Sequence, residues 1–298
     1  MEGCLFVLNK RNRILAAEAM ANHSHLFLCP LCSTSMRVEE LRQLICRKGH
    51  SFDIAKQGYV NFLPRPAASK YGQSLFRSRS MMSESGFFES LDRLIACQIL
   101  AHIGNQPVRL LDMGCGEGSH LTRILDMMQT AGCHGTAGVG LDIAKEGVRM
   151  AASRQPHLLW CVADLARSPL AGRSFDFILN ILSPSNYAQC QRLLKDDGFL
   201  IKIIPGDGHL QELRTAFRTA NRSNSGSKLE ERFRDNFKLI QSLPLRTRSK
   251  LDADLIPHAI AMTPLSWHAD IGSIHSLQEL SFLDLTLDVT LLIGQKHR

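Results

Sequence analysis

Four residues near the start of the chain have the types and spacing of a metal site. Cys29-Pro30-Leu31-Cys32 is followed, thirteen residues on, by Cys46-Arg47-Lys48-Gly49-His50. That places two close pairs of soft or borderline ligands within reach of one ion, and zinc prefers four such ligands in a tetrahedron. Pro30-Leu31 and Lys48-Gly49 suit tight turns that aim both members of a pair at one point. Four protein ligands leave no open position for water, so Cys29, Cys32, Cys46 and His50 imply a structural zinc. A region this small cannot hold itself together by apolar burial, and metal binding would supply much of its folding energy.

A second group could hold an organic cation. Leu110-Leu111-Asp112-Met113-Gly114-Cys115-Gly116-Glu117-Gly118 ends an apolar run in a glycine turn with acids on either side. Glycines let a ligand approach the backbone and present it to the N-terminus of the next helix. A dinucleotide turn would have the spacing GxGxxG, but here it is GxGxG, and the carboxylates of Asp112 and Glu117 would repel a pyrophosphate. They suit S-adenosylmethionine, with its sulfonium and ammonium, and the stretch resembles the first motif of class I methyltransferases. Asp142, after Gly140-Leu141, can accept bonds from both ribose hydroxyls. Asp164 stands where an acid or amide meets the adenine amino group in this class, although each acid alone would also serve as a helix N-cap. The expected cofactor set is Asp112, Gly114, Gly116, Glu117, Gly118, Asp142, Ile143, Asp164, Leu165 and Asn180. Asn180, Ser183 and Pro184, in Asn180-Ile181-Leu182-Ser183-Pro184-Ser185, lie at the crevice of an open sheet and are candidates for handling the acceptor, as is His209.

These groups need a frame. From Val108 onward short apolar runs (VRLLDMGC, TAGVGLDI, LLWCVAD, SFDFILNILS, GFLIKIIPG) alternate with helix-like stretches such as SHLTRILDMMQT and KEGVRMAASRQ. This is the pattern of an α/β fold with a mostly parallel sheet and helices on both faces. Leu283 to Leu291 alternates apolar and polar without error, which predicts a half-buried late strand at or near a sheet edge. Residues 74–104 read as helical, 29–62 as short hairpins, 1–28 as an irregular or helical lead-in, and Leu63 to Ser69 as a proline-stiffened linker. The expected domains are a lead-in over 1–28, a zinc module over 29–66 and an α/β domain over 67–298.

The chain of 298 residues is 44% apolar, enough for a large core. No apolar run is long enough to span a membrane. The N-terminal basic cluster at Lys10 to Arg13 is not followed by a signal-like apolar segment. Nine scattered cysteines, an odd count, argue against a secreted disulfide scaffold and for a reducing cytoplasm. The net charge of +7 is uneven, with nine Lys/Arg against three acids over residues 29–79. A region that basic suits a polyanion such as RNA. Arg47, Lys48, Lys56, Arg77 and Arg79 are the candidate phosphate contacts, each equally explicable as a solvated charge.

Taken together, Cys-Pro-Leu-Cys, Cys46-x3-His50 and Phe52-Asp53-Ile54-Ala55-Lys56-Gln57-Gly58-Tyr59-Val60-Asn61-Phe62-Leu63-Pro64 resemble the N-terminal part of the bacterial 23S rRNA guanine-N1 methyltransferases of the RlmA type. Leu111 to Gly118 and Gly140-Leu141-Asp142 resemble that family's cofactor motifs. His209-Leu210-x-Glu212-Leu213 and Met262-Thr263-Pro264-Leu265-Ser266-Trp267 resemble its later landmarks. The likeness runs from about residue 27 to the end. It implies a class I methyltransferase domain behind a zinc module, methyl transfer to N1 of a guanine in a 23S rRNA hairpin, and a homodimer whose zinc modules contribute to an RNA cleft. The loop Leu182-Ser183-Pro184-Ser185-Asn186 lacks the aromatic common there in the family. Trp267 is a candidate to stack on a base or to close the pocket. The rival readings are a methyltransferase acting on tRNA or another acceptor, and a zinc-bearing RNA-binding protein without catalysis. An intact Asp112, Gly114, Gly116 and Asp142 set argues against the last.

Overall fold

A computed structural model describes residues 2–65, 71–104, 106–218 and 225–297. The lead-in is a helix, α1 (Glu2–Asn22), followed by a small antiparallel sheet of β1 (Met36–Glu39), β2 (Gln43–Cys46) and β3 (Ser51–Asp53). Then come β4 (Tyr59–Asn61), α2 (Gln73–Glu84) and α3 (Glu89–Ile103). The expected helical stretch 74–104 is therefore two helices, broken at residues 85–88 by a turn at Gly86, whose φ is +85°. The expected linker is irregular over 63–65, and residues 66–69 of it lie outside the described residues.

The α/β part follows as β5 (Arg109–Met113), α4 (Ser119–Thr130), β6 (Ala137–Asp142), α5 (Lys145–Arg154), β7 (Leu159–Val162), β8 (Phe175–Ile181), α6 (Tyr187–Leu193) and β9 (Leu194–Pro205). It closes with α7 (Gln211–Ala216), α8 (Ser225–Asn236), β10 (Lys238–Asp252), α9 (Ile256–Ala261), α10 (Ile271–Gln278) and β11 (Phe282–Gln295). One eight-stranded sheet runs β10-β11-β9-β8-β5-β6-β7-β4. The strands from β9 to β4 pair parallel, and β10 and β11 are antiparallel. This is the doubly wound architecture expected from the alternating pattern. The order reverses beside β5, and the turn after β5 lies at that switch point, where open α/β sheets bind their ligands.

Central strands are buried on both faces because helices cover both. Leu110, Leu111, Asp112 and Met113 of β5 are all buried. On α4, Leu121, Ile124 and Met128 are buried at helical spacing, with Leu125 and Met127 partly buried beside them and polar residues such as Asp126 outside. The alternation from Leu283 to Leu291 is real, since Leu283, Leu285, Leu287, Val289 and Leu291 are all buried. Its strand is the penultimate one, and the edge is β10, which is paired with β11 along nearly its whole length.

Besides backbone bonds between Leu26 and Ala171 and between Leu28 and Pro169, two elements bind the start of the chain to this frame. Strand β4 pairs parallel with β7, Tyr59 opposite Trp160 and Asn61 opposite Val162, so a segment of the zinc region forms the last strand of the large sheet. Helix α1 then lies against β1, β7 and α5, burying Ala16, Ala17 and Met20 completely. Gly58, at φ +105°, makes room for it, because a Cβ there would sit 3.0 Å from that of Ala16. Leu44, Cys46, Ile54, Val60 and Phe62 share one apolar cluster with Val139, Leu159 and Cys161 of the sheet. No helix of the described residues is long and apolar enough to cross a membrane, and Cys29, Cys32, Cys46, Cys97, Cys115, Cys133, Cys161 and Cys190 form no disulfide.

Candidate metal centre and cofactor crevice

The thiols of Cys29, Cys32 and Cys46 and the His50 ring converge until their ligand atoms lie within 4.8 Å of one another. Cys29 Sγ and Cys46 Sγ each lie 3.5 Å from His50 Nδ1, and Cys32 Sγ is 3.6 Å from Cys46 Sγ. A tetrahedron with Zn–S bonds of about 2.3 Å has edges of about 3.7 Å, so the donor set fits a zinc ion held by three sulfurs and one nitrogen. Two turns produce this convergence. The Ser33 N–H donates to Cys29 O with Ser33 left-handed, and the Gly49 N–H donates to Cys46 O with Gly49 at φ +82°. Hydrogen bonding to Thr34 draws the Cys32 thiol down to about 7, toward the thiolate that a metal needs.

The glycine turn leaves β5 with Gly114, Gly116 and Gly118 at φ +93°, +54° and +80°. A Cβ on Gly114 would overlap Ser183 Oγ, so this loop and the Ser183 loop close on each other as only glycine permits. Asp142 organises the turn from below. Its Oδ2 accepts the Gly116 N–H at 2.9 Å and its Oδ1 accepts the Ala144 N–H at 2.8 Å. Trp160, fully buried, packs beneath Gly118 and Gly140.

Asp112 is the telling residue. It is 2% exposed, and its Oδ1 has no hydrogen-bond partner. Burial, reinforced by the charges of Asp142 and Glu117, lifts its carboxyl to about 7. A buried carboxylate oxygen without a donor is costly unless a ligand supplies the cation. Together with the glycine cradle, that fits the ammonium-bearing half of S-adenosylmethionine. Nearby, buried Asp92 holds His120 Nδ1 at 2.5 Å and Arg123 Nε at 3.3 Å. Burial opposes a charge on His120, but Asp92, with Glu117 and Asp112, outweighs it and the net shift is upward. The crevice thus carries both signs, as a zwitterionic methionine end requires.

The structure places the other expected residues unevenly. Ile143 is exposed beside Asp142, and Asp164 caps the short turn Leu165–Arg167 by accepting the Ala166 N–H at 2.8 Å. Asn180 is spent internally: Nδ2 donates to Met113 O and Pro184 O, and Oδ1 accepts from Ser185 Oγ and Lys202 Nζ. Its side chain locks the loop after β8. A cavity of about 590 Å³ opens from Gly114, Gly116 and Glu117 and is walled by Ser183, Pro184 and His209. Burial, then Arg214, lowers His209 to about 4, so at neutral pH it is an uncharged ring with an unpartnered Nδ1. Arg47, Lys48, Lys56 and Arg77 are exposed. Arg79 is not with them: it lies in the cavity wall, donates to Met262 O at 3.1 Å and stands 5.8 Å from the Tyr71 and Phe76 ring centres. Trp267 is 41% exposed, so it is no core aromatic, and it meets Tyr71 with ring centres 5.6 Å apart.

Sequence reasoning missed His120 with Asp92, the cavity cations Arg214 and Arg232, and Lys202. Only Lys202 left a signal, as a lone charge inside the apolar run Leu200-Ile201-Lys202-Ile203-Ile204.

The fold, the glycine crevice and the four-ligand cluster define a class I S-adenosylmethionine-dependent methyltransferase carrying a zinc ribbon. The family models agree, a zinc ribbon described as RlmA, N-terminal, over residues 27–70 and a methyltransferase domain over 110–198. YxjB of Bacillus subtilis (strain 168), assigned by name to the 23S rRNA (guanine-N(1)-)-methyltransferases, is 42% identical over 91% of this chain and 97% of its own length. The 23S rRNA (guanine(748)-N(1))-methyltransferase of Streptomyces fradiae is 32% identical over 89% of this chain and 95% of its own. The chain belongs to the 23S rRNA (guanine-N1)-methyltransferase family.

Proposed function

We propose that this chain transfers the methyl group of S-adenosylmethionine to N1 of a guanine in a 23S rRNA hairpin. The observation that carries the reading is the cavity: it begins at the cofactor loop, is of ligand size, and is walled by Arg79, Lys202, Arg214 and Arg232. Such walls suit an electron-rich base. Bound S-adenosylmethionine supplies an electrophilic methyl, so the protein's task is to hold a nucleophile in line with it. A base within a stem must first be extruded. Tyr71 and Trp267 give the extruded base a stacking surface, in place of the aromatic absent from the Leu182–Asn186 loop. The exposed Arg47, Lys48 and Lys56 of the ribbon, with Arg77 of α2, hold phosphates while this happens. The enzyme works in the cytoplasm as a homodimer whose two ribbons line the RNA cleft, as the family resemblance implies.

Base-resolved mapping of N1-methylguanine in 23S rRNA, with and without the gene, tests the reading. One modified guanine should disappear on deletion and return with the wild type but not with Asp112→Ala. An unchanged 23S rRNA pattern would reject this acceptor and turn the search to tRNA.

A further inference from the structure

Lys202 sits in the middle of β9 and is only 4% exposed, yet no carboxylate among the described residues pairs with it. Among the described residues its Nζ has two hydrogen-bond partners, Asn180 Oδ1 at 2.6 Å and the Ser183 carbonyl at 3.2 Å. Both are acceptors. A neutral amine has two N–H groups and one lone pair, so these partners use both donors and leave the lone pair free. The side chain forms part of the wall of the cavity that Gly114, Gly116 and Pro184 also line. Ser183, whose carbonyl Lys202 holds, lies directly against Gly114 of the cofactor loop.

Guanine N1 bears a proton, and its nitrogen pair is tied into the ring amide until that proton leaves. Methylation at N1 therefore needs a base beside the methyl donor. Among the cavity residues His209 is too weakly basic, His120 is tied through Nδ1 to buried Asp92, and the guanidinium groups of Arg79, Arg214 and Arg232 have no free pair to offer. Glu117 and Asp112 border the cationic cofactor.

We propose that Lys202 is the general base for the acceptor guanine. N1 gives its proton to the free pair of Nζ; the N1 pair forms the new bond to the methyl carbon; the S–C bond breaks with its electrons going to sulfur. The products are N1-methylguanine, S-adenosylhomocysteine and an ammonium on Lys202, which later loses its proton to water. One positive charge enters on sulfur and one leaves on nitrogen, so the site keeps its charge through the step. The proposal rests on N1 of guanine being the acceptor.

The surroundings suit the task. Burial lowers Lys202 to about 8, with Arg232 of α8 pushing the same way and Cys190 of α6 opposing. The Cys190 thiol is itself held up at about 12 and carries no charge at neutral pH. Tyr71, Arg79, Cys115, Glu117, His120, Tyr187, His209 and Arg214 are the other titratable and charged groups lining the cavity. A base with a value near the working pH is the most effective kind.

The test is single-turnover methylation of 23S rRNA from a strain lacking the gene, at saturating S-adenosylmethionine, with N1-methylguanine as the quantified product. The wild-type rate should rise tenfold per pH unit and level off near pH 8. Lys202→Arg keeps a donor and a charge but has no pair to offer. It should lose about 10²-fold or more while binding S-adenosylhomocysteine within twofold of wild type. Lys202→Ala should regain N1-methylguanine formation with added methylamine, in proportion to the free amine. A Lys202→Arg rate within a few-fold of wild type would overturn the proposal, leaving Lys202 as a clamp for the Ser183 loop. So would loss in both variants without amine rescue. If Lys202→Arg fails to bind S-adenosylhomocysteine, the wild-type pH profile and the Lys202→Ala rescue decide. A wild type that forms no N1-methylguanine would instead reject the acceptor, not the base.

Discussion

At the scale of single residues, the crevice is built from groups placed where water would serve them better. Asp112 is raised to about 7 by its burial, so the free protein holds it largely protonated at slightly acid pH. A cationic ligand beside Asp112 Oδ1 favours the ionised form. Cofactor binding should therefore weaken as pH falls below about 7, approaching tenfold per unit, and titration calorimetry from pH 5.5 to 8 will show it. In Asp112→Asn that dependence should vanish and affinity should fall at every pH. The stability effect has the opposite sense. A carboxyl raised from 3.8 to about 7 favours folding fully below its unfolded value, and that contribution is lost as pH climbs through 7. The ligand-free Asp112→Asn protein should thus melt above wild type at pH 8, with the gap closing toward pH 4. His209 and Arg79 carry a different lesson. The first was singled out for its type and proves to be a neutral ring in the cavity wall. The second was grouped with surface charges, yet its guanidinium reaches Met262 and the Tyr71 ring.

At the scale of elements, most of the sheet could be read from the sequence because its strands are buried on both faces and stand out as apolar runs. The glycine turn was equally legible, since positive φ at three alternate positions leaves little choice of residue. Strand β10 was not visible. As an edge strand it exposes Pro244, Arg246, Arg248 and Lys250 and half-covers the residues between them, so its composition is that of a loop. Strand β4 was hidden for another reason: its partner lies a hundred residues on in β7, and no local pattern announces so distant a pairing. The packing beneath the crevice gives its own prediction. Gly140→Ala puts a methyl into the Trp160 ring, so the variant should be destabilised by about 1–3 kcal/mol in urea and should bind S-adenosylhomocysteine more weakly. Removing zinc should loosen more than the ribbon. Leu44, Cys46 and Ile54 share their cluster with Val139 and Leu159 and with Ala16, Ala17 and Met20 of α1. With a chelator, hydrogen exchange should therefore rise over residues 27–54 and in α1, while β8 and β9 stay protected.

At the scale of the whole molecule, charge and connection matter more than any one contact. A net charge of +7 gives RNA binding a steep salt dependence. Lys48→Ala or Arg47→Ala should weaken binding to all hairpin sequences alike and reduce the slope of log affinity against log salt by about 1 each. Arg79→Ala should leave that slope in place and lower the turnover rate, because its charge belongs to the cavity.

The pairing of β4 with β7 also sets an order of events during synthesis. The ribbon's four ligands are complete once residue 50 has emerged, so metal can fix β1 to β3 while the rest of the chain is still being made. Tyr59 O and Val60 have local partners in Ala55 and Ile54, but the bonds of Tyr59 to Asn61 to β7 must wait for residues 160–162 to leave the ribosome. Throughout that interval a strand with an unsatisfied edge is tethered to a finished knob. A pause in translation between Asn61 and Trp160 should therefore lengthen the time for which the β7-facing edge of β4 is open to mispairing.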